Sequence, residues 1–224
     1  MRLVSAVLAR NEAGPDRFLR TALARCLAFS DTVVVLDDHS QDATPQIAEE
    51  MGCVVESRTT LDHAWGHEGP ARRELWELAC RYATGPNDWI LVCDADQVLV
   101  GDVRALCRSR DVNCWAFVLY DLWSENEYRE DNFWQAHQNP RPWLYAPHRV
   151  PEGWVPQWND AGLHPGHAPL NYPMDMAVAP TDTYHWLHYS YSTPALREKK
   201  HAQYMAQAHL LSPHQKAHAD SILA

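Results

Sequence analysis

The stretch DWILVCDADQVL, Asp88 to Leu99, decides how this chain is read. Trp89 to Cys93 is an unbroken apolar run of strand length, with no polar alternation, so it predicts a strand covered on both faces. It ends in Asp94-Ala95-Asp96. Three similar runs lie upstream: Leu3 to Ala9, Thr32 to Leu36 and Cys53 to Glu56. Helical patterns separate them. Asp16 to Phe29 carries Phe18, Ala22, Leu23, Cys26 and Leu27 on one face. Thr44 reads as an N-cap before Pro45, opening a helix that runs to Met51 and stops at Gly52. Pro70 to Ala83 turns Leu75, Leu78, Ala79 and Tyr82 inward. Alternating strands and helices predict an α/β fold: a mostly parallel central sheet flanked by helices, with right-handed crossovers.

Beyond Gly101 the pattern changes. A short helix, Val103 to Arg108, precedes a long apolar strand from Cys114 to Leu122. Loops and short strands rich in Pro, Trp, His and Asn follow, and a helix runs from Pro194 to Leu211 and ends before Pro213. With no internal repeat or linker, residues 1–224 read as one domain, divided into a nucleotide-type half (1–100) and an acceptor-type half (101–224).

The composition narrows the function. The 224 residues are 46% hydrophobic and 21% charged, which suits a packed globular chain. A formal net charge of −10 disfavours a general nucleic-acid binder, because phosphate contacts need Lys and Arg. No apolar run reaches the roughly 20 residues of a membrane-spanning helix, and the start is too short for a signal peptide. The six cysteines are widely spaced and lack a Cys-x-x-Cys pair, so reduced thiols and a cytoplasmic location are expected. The 10 tryptophans gather mostly between Trp115 and Trp186, where flat faces could stack on sugars or bases. Trp123, Trp134, Trp154 and Trp158 are the candidate platforms.

Open α/β sheets bind ligands beyond the carboxyl ends of their strands. Acids stand at those ends here: Asp37-Asp38 after the second strand, Asp94 and Asp96 after the fourth. A nucleoside diphosphate is a highly charged leaving group. A hard cation held by few carboxylates, with phosphate oxygens completing its shell, would offset that charge. The bland alternative is that these aspartates only cap turns.

The sequence resembles the family 2 glycosyltransferases of the GT-A, Rossmann-like fold. The motifs are LVSAVLARNE (Leu3–Glu12), VVVLDDHSQDAT (Val33–Thr44), WGHEGPARRELWELA (Trp65–Ala79) and the Asp-x-Asp strand quoted above. His39 stands where glycine is usual, and Arg73 where asparagine is usual. The resemblance implies a transferase using a nucleoside diphosphate-sugar, UDP-sugar favoured, with Mn²⁺ or Mg²⁺. It implies that Ala6 to Glu12, including Arg10, line the nucleoside pocket and that Asp38 accepts a hydrogen bond from the base. Asp94 would face the ribose or the metal, Asp96 would bind the metal, and Arg72 would lie near the diphosphate or sugar. A solvated surface charge is the alternative for Arg72.

The second half resembles a subset of these enzymes through YREDNFW (Tyr128–Trp134) and HWLHYSY followed by REKKHAQY. The resemblance implies a late histidine in the metal shell, His188 by position and His185 second, with hydrogen-bonded packing as the alternative. It also implies inversion at the anomeric carbon, with a carboxylate taking the acceptor proton. Asp131 is the first candidate and Asp160 the second, and both could instead be loop caps. His164-Pro165 stands where some relatives have His-Glu. His63, His67 and Glu68 lack the framework of a zinc site. Lys199, Lys200 and His201 could contact phosphate, a membrane surface or a partner, though such runs are more often solvated.

The acceptor could be a glycan, a lipid-linked glycan, a protein or a hydroxymethylated DNA base. Two other readings stay open: a sugar nucleotidyltransferase and a non-catalytic glycan- or nucleic-acid-binding module. A single glycine in LARNEAGPDRF argues against a triphosphate cradle. The oligomeric state is open.

Overall fold

The four N-terminal apolar runs all become strands, and their alternating side chains divide between two helical layers. The computed structural model describes residues 1–58, 68–159 and 166–224. Its first elements are β1 (Leu3–Ala9), α1 (Leu19–Phe29), β2 (Thr32–Asp37), α2 (Thr44–Glu50), β3 (Val54–Ser57), α3 (Glu68–Cys80) and β4 (Trp89–Asp94). These strands are parallel in the order β3-β2-β1-β4. On one face Leu3, Val7, Val33, Val35 and Leu91 pack with Leu19, Leu23 and Cys26 of α1. On the other face Val4, Ala6, Val34 and Val92 pack with Leu75, Trp76 and Leu78 of α3. Fully burying a Val or Leu is worth about 1.5–3 kcal/mol. An aspartate at Val35 would forfeit that and bury an unpaired charge as well.

Some boundaries differ from the sequence reading. Helix α1 starts at Leu19 because Gly14 to Arg17 form a turn, with Arg17 N–H donating to Gly14 C=O at 3.1 Å. Thr44 is the first helical residue and not the cap. Its hydroxyl accepts the Glu12 N–H at 2.7 Å, tying the β1 loop to α2.

The second half extends the same sheet. It comprises β5 (Gln97–Val100), β6 (Cys114–Asp121), β7 (Arg141–Tyr145), β8 (Met176–Val178) and β9 (His185–His188), then α4 (Pro194–Ala206) and α5 (Pro213–Ser221). Strand β7 is antiparallel to both β4 and β6, and so joins the halves. Strand β9 lies between β6, which is parallel to it, and β5, which is antiparallel. The sequence reading lacked β5 and α5. Pro213, read there as a stop, is instead in the first turn of α5, behind a Ser212–Gln215 capping box. No helix among the described residues is long and apolar enough to cross a membrane.

Candidate active site

The carboxyl ends of β1, β2 and β4 open into a cavity of about 1310 Å³, whose lining includes Arg10, Glu12, Asp38, Arg72, Asp94 and Asp96. Ala6 is not part of that lining: it lies mid-strand, fully buried in the core beneath α3, and the β1 contribution begins at Leu8. Two non-glycine residues at the loop turns have left-handed backbones, Asn11 (φ 54°) and His39 (φ 59°). The Asn11 side-chain carbonyl accepts the Gln41 N–H at 2.8 Å, and the Asn11 N–H donates to Ser40 Oγ at 2.9 Å. These bonds lock the two loops together beside Asp38.

Asp38 is almost fully buried. Arg58, also buried, donates Nη1–H to it at 2.7 Å and bonds Glu74 at 3.1 and 3.3 Å. Arg10 reaches Asp38 at 3.5 Å. Asp38 thus meets guanidinium groups from both Arg58 and Arg10.

Arg72 projects from α3 to Asp94 Oδ1, at 2.8 Å. Burial alone would weaken its hold on a proton, but Asp94 and Glu68 outweigh that and keep it charged. Burial likewise pushes the Asp94 carboxyl up, and Arg72 together with His167 more than offsets it, leaving the group below the usual carboxylate range. Arg72 Nε and Nη1 are buried with no hydrogen-bond partner. Buried donors left unmet on a fixed cation suit an anionic ligand.

Asp96 faces His188, with Oδ2 at 3.5 Å from Nε2, and also accepts the Ser190 hydroxyl. Burial opposes its ionisation, but His188 and its neighbours hold the Asp96 carboxyl far below the usual range. His188 is in the cavity wall. His185 is not: its Nδ1 lies 3.1 Å from Thr181 C=O and its ring packs edge-on against Tyr120. Alternation along β9 separates the two histidines. Burial would lower the His188 pKa, yet Asp96 and Asp121 raise it to about 10.

The acceptor-side residues are distributed differently from the sequence reading. Asp131 is outside the cavity lining. Its Oδ2 accepts Arg129 Nε–H at 2.7 Å and its Oδ1 accepts the N–H groups of Phe133 and Trp134 at 2.8 and 3.2 Å. That is the loop-cap alternative. Asp160, His164, Pro165, His63 and His67 lie outside the described residues. Of the four candidate Trp platforms only Trp134 borders the cavity, and it is 2% exposed. The guanidinium groups of Arg129 and Arg197 lie over Trp123, 4.6 and 4.9 Å from its ring centroid. Trp154 and Trp158 pack against Tyr172 and Trp76.

Four residues at or beside the site have little or no signal in the sequence. Arg58 had no motif around it. Lys199 and Lys200 line the cavity, where a solvated face was the commoner expectation. Asp121 also lines it, and it ends an apolar strand just as Asp94 does. That shared pattern was the available signal.

The parallel β3-β2-β1-β4 sheet, with acids and Arg72 at its strand tips, defines a GT-A, Rossmann-like α/β protein. The chain belongs to glycosyl transferase family 2, whose model matches residues 6–151. It is similar to S. aureus TarS residues 1–349 solved with UDP-GlcNAc, at 17% identity and a TM-score of 0.52, covering 100% of this chain and 71% of that one. It is also similar to a longer TarS structure, at 18% identity and a TM-score of 0.50, of which it covers 42%. A TPR repeat-containing protein of Synechococcus elongatus is 39% identical over 92 residues, which are 39% of this chain and 20% of that protein.

A diphosphate and a divalent cation are the groups that the motif resemblance implies for this cavity. The unmet Arg72 donors suit the anion. Among the described residues no three His, Cys, Asp or Glu side chains converge tightly enough to hold an ion alone.

Proposed function

We propose that the protein transfers a sugar, with inversion, from a nucleoside diphosphate-sugar to a hydroxyl acceptor, using Mn²⁺ or Mg²⁺. The observation that carries this reading is Arg72: a buried guanidinium beside Asp94, with two donors unmet, in the cavity that also contains Asp96. The β1 tip from Leu8 to Glu12 would border the nucleoside, and an Asp38 side-chain oxygen would accept the N–H of a uracil edge. A UDP-sugar is therefore favoured, and the fold likeness to TarS, solved with UDP-GlcNAc, agrees with that choice. Asp96 and His188 would hold the cation, with Asp94 between it and the ribose. When bound, the cation supplies positive charge against the departing diphosphate. Arg72, with Lys199 and Lys200 from α4, adds fixed charge on the same cavity wall.

Of the two carboxylates expected to take the acceptor proton, Asp131 is committed to Arg129 and two backbone N–H groups. Asp160 is the proposed base. The acceptor end presents the amides of Asn132, Gln135, Gln203 and Gln215 beside Phe133, which is 38% exposed. Amides pair with hydroxyls and an aromatic face stacks on a sugar ring. A glycan acceptor suits this wall better than DNA, which would call for more Lys and Arg. A cytoplasmic location is part of the reading, and free thiols at all six cysteines agree with it.

The test is a nucleotide-sugar panel assayed for nucleoside diphosphate release, with and without Mn²⁺ and candidate glycans. Metal-dependent release that Asp96→Ala abolishes is the expected result. Release that is indifferent to both metal and Asp96→Ala would overturn the reading, and pyrophosphate release from a nucleoside triphosphate would point to a nucleotidyltransferase.

A further inference from the structure

The pairing of β6 with β9 makes Asp121 and His188 register partners, and the pairing of β9 with β5 sets Gln97 on the other side of His188. Both Asp121 and His188 line the cavity. His188 Nδ1 lies 2.6 Å from Asp121 Oδ1. An ionised carboxylate can only accept, so the hydrogen belongs to Nδ1. Nε2 is then the nitrogen turned to Asp96, across 3.5 Å. That gap is longer than a strong charge-assisted bond, about 2.7–2.9 Å. Tyr191 meets the imidazole edge-on at 5.4 Å and limits its tilt.

We infer that Asp121 is a positioning residue that works through His188, fixing the imidazole with Nδ1–H toward Asp121 and Nε2 toward Asp96, so that a divalent cation meets two ligands already aligned. The inference rests on the metal reading above and assigns the orienting partner of its histidine. Such partners of a ligating imidazole fix its tautomer and raise its basicity, and losing one costs about 10–100-fold in metal affinity. Nε2 would offer its lone pair to a bound cation, while Nδ1–H keeps its bond to Asp121. Asp121 could instead serve as the proton acceptor for the sugar hydroxyl. A readout of binding, not turnover, separates the two roles.

The experiment measures Mn²⁺ affinity of the full chain by electron paramagnetic resonance of free Mn²⁺, with Mn²⁺ alone and with Mn²⁺ plus UDP. It compares the wild type, Asp121→Ala, Asp121→Asn, His188→Ala, Asp96→Ala and the Asp121→Ala/His188→Ala double variant. Asp121→Ala is expected to weaken Mn²⁺ binding by roughly 10–100-fold. Asp121→Asn, whose side-chain carbonyl still accepts from Nδ1–H, is expected to lose less and also serves if the alanine variant folds poorly. In the His188→Ala background, Asp121→Ala is expected to add nothing. Unchanged Mn²⁺ affinity in both folded Asp121 variants overturns the inference. If turnover collapses in those variants while affinity holds, Asp121 is the proton acceptor. If wild type and Asp96→Ala both fail to bind Mn²⁺ with UDP, the metal reading itself falls, an outcome distinct from failure of the positioning role alone.

Discussion

Arg58 donates to Asp38 at 2.7 Å from a side chain with no exposed surface, and Asp38 is itself 1% exposed. The pair sits where β2 and β3 end side by side, so the register of two parallel strands delivers both charges to one buried point. Removing one partner of such a pair strands the other. Arg58→Met should therefore cost about 3–5 kcal/mol, with Arg10 at 3.5 Å keeping the loss toward the lower end. Urea denaturation measures it, and Asp38→Asn added to Arg58→Met should recover part of the loss. A loss below about 0.5 kcal/mol, the scale of exposed pairs, would mean the ion pair is not buried in solution.

His39 follows Asp38 with a left-handed backbone, φ 59°. That conformation costs an L-residue roughly 1–2 kcal/mol, which gives a physical reason for glycine being usual there. His39→Gly should relieve the strain but return about 0.4–1 kcal/mol through the freer unfolded chain. The net expectation is a gain of about 0.5–1 kcal/mol, read as a Tm rise of roughly 1–4 °C. A fall in Tm would show that the His39 side chain contributes more than its backbone costs.

The parts of the fold and site that were legible in the sequence share a property: a single continuous segment carries the signal. β4 is an apolar run that ends in acids, and β1, β2 and α3 have their own periodicity. β5 escaped because four residues between Asp96 and Gly101 show no pattern until β9 pairs with them. Asp94, Asp96 and Arg72 stand out in the sequence through motifs and line one cavity, whereas Arg58 depends on strand register, which no local pattern reveals. Asp131 misled because an acidic pair reads the same whether it faces a cavity or caps a turn. Its partners, Arg129 and the Phe133 and Trp134 N–H groups, follow from a loop shape that spacing alone does not specify. His188 could be preferred over His185 by position, but its partner Asp121 lies 67 residues away in sequence.

Glu12 should make the metal-free protein less stable as pH rises. Burial, and then the charge of Asp96, raises its pKa from 4.5 to about 7. A carboxyl bound more tightly to its proton in the folded state contributes stability that is fully present below 4.5 and lost as pH climbs through about 7. The sign is opposite to that of a carboxylate in a native ion pair. Burial lowers His167 from 6.5 to about 4 and so adds an opposing trend, which makes the difference between two proteins the readout: between pH 4.5 and 7 the wild type should lose melting temperature relative to Glu12→Gln. An identical slope in the variant would assign the trend to another group.

Gly101 ends β5 with φ +88°, and a Cβ there would lie 2.5 Å from the Thr183 carbonyl oxygen and from the Tyr184 ring. The obstacle is partly backbone, so it cannot swing aside as a flexible side chain would. Gly101→Ala should therefore incur both left-handed strain, about 1–2 kcal/mol, and an overpacking cost of about 1–3 kcal/mol. Gly52 separates the two contributions: its φ is +89° but nothing lies within 4 Å of its would-be Cβ. Gly52→Ala should show the strain alone, and the excess loss in Gly101→Ala measures the clash. Thr183 and Tyr184 immediately precede β9, so displacing them moves the strand that carries His188. Gly101→Ala, unlike Gly52→Ala, should then weaken Mn²⁺ binding as well as lower Tm. Equal metal affinity in the two variants would mean that β9 keeps its place through pairing with β6 even when its lead-in is pushed away.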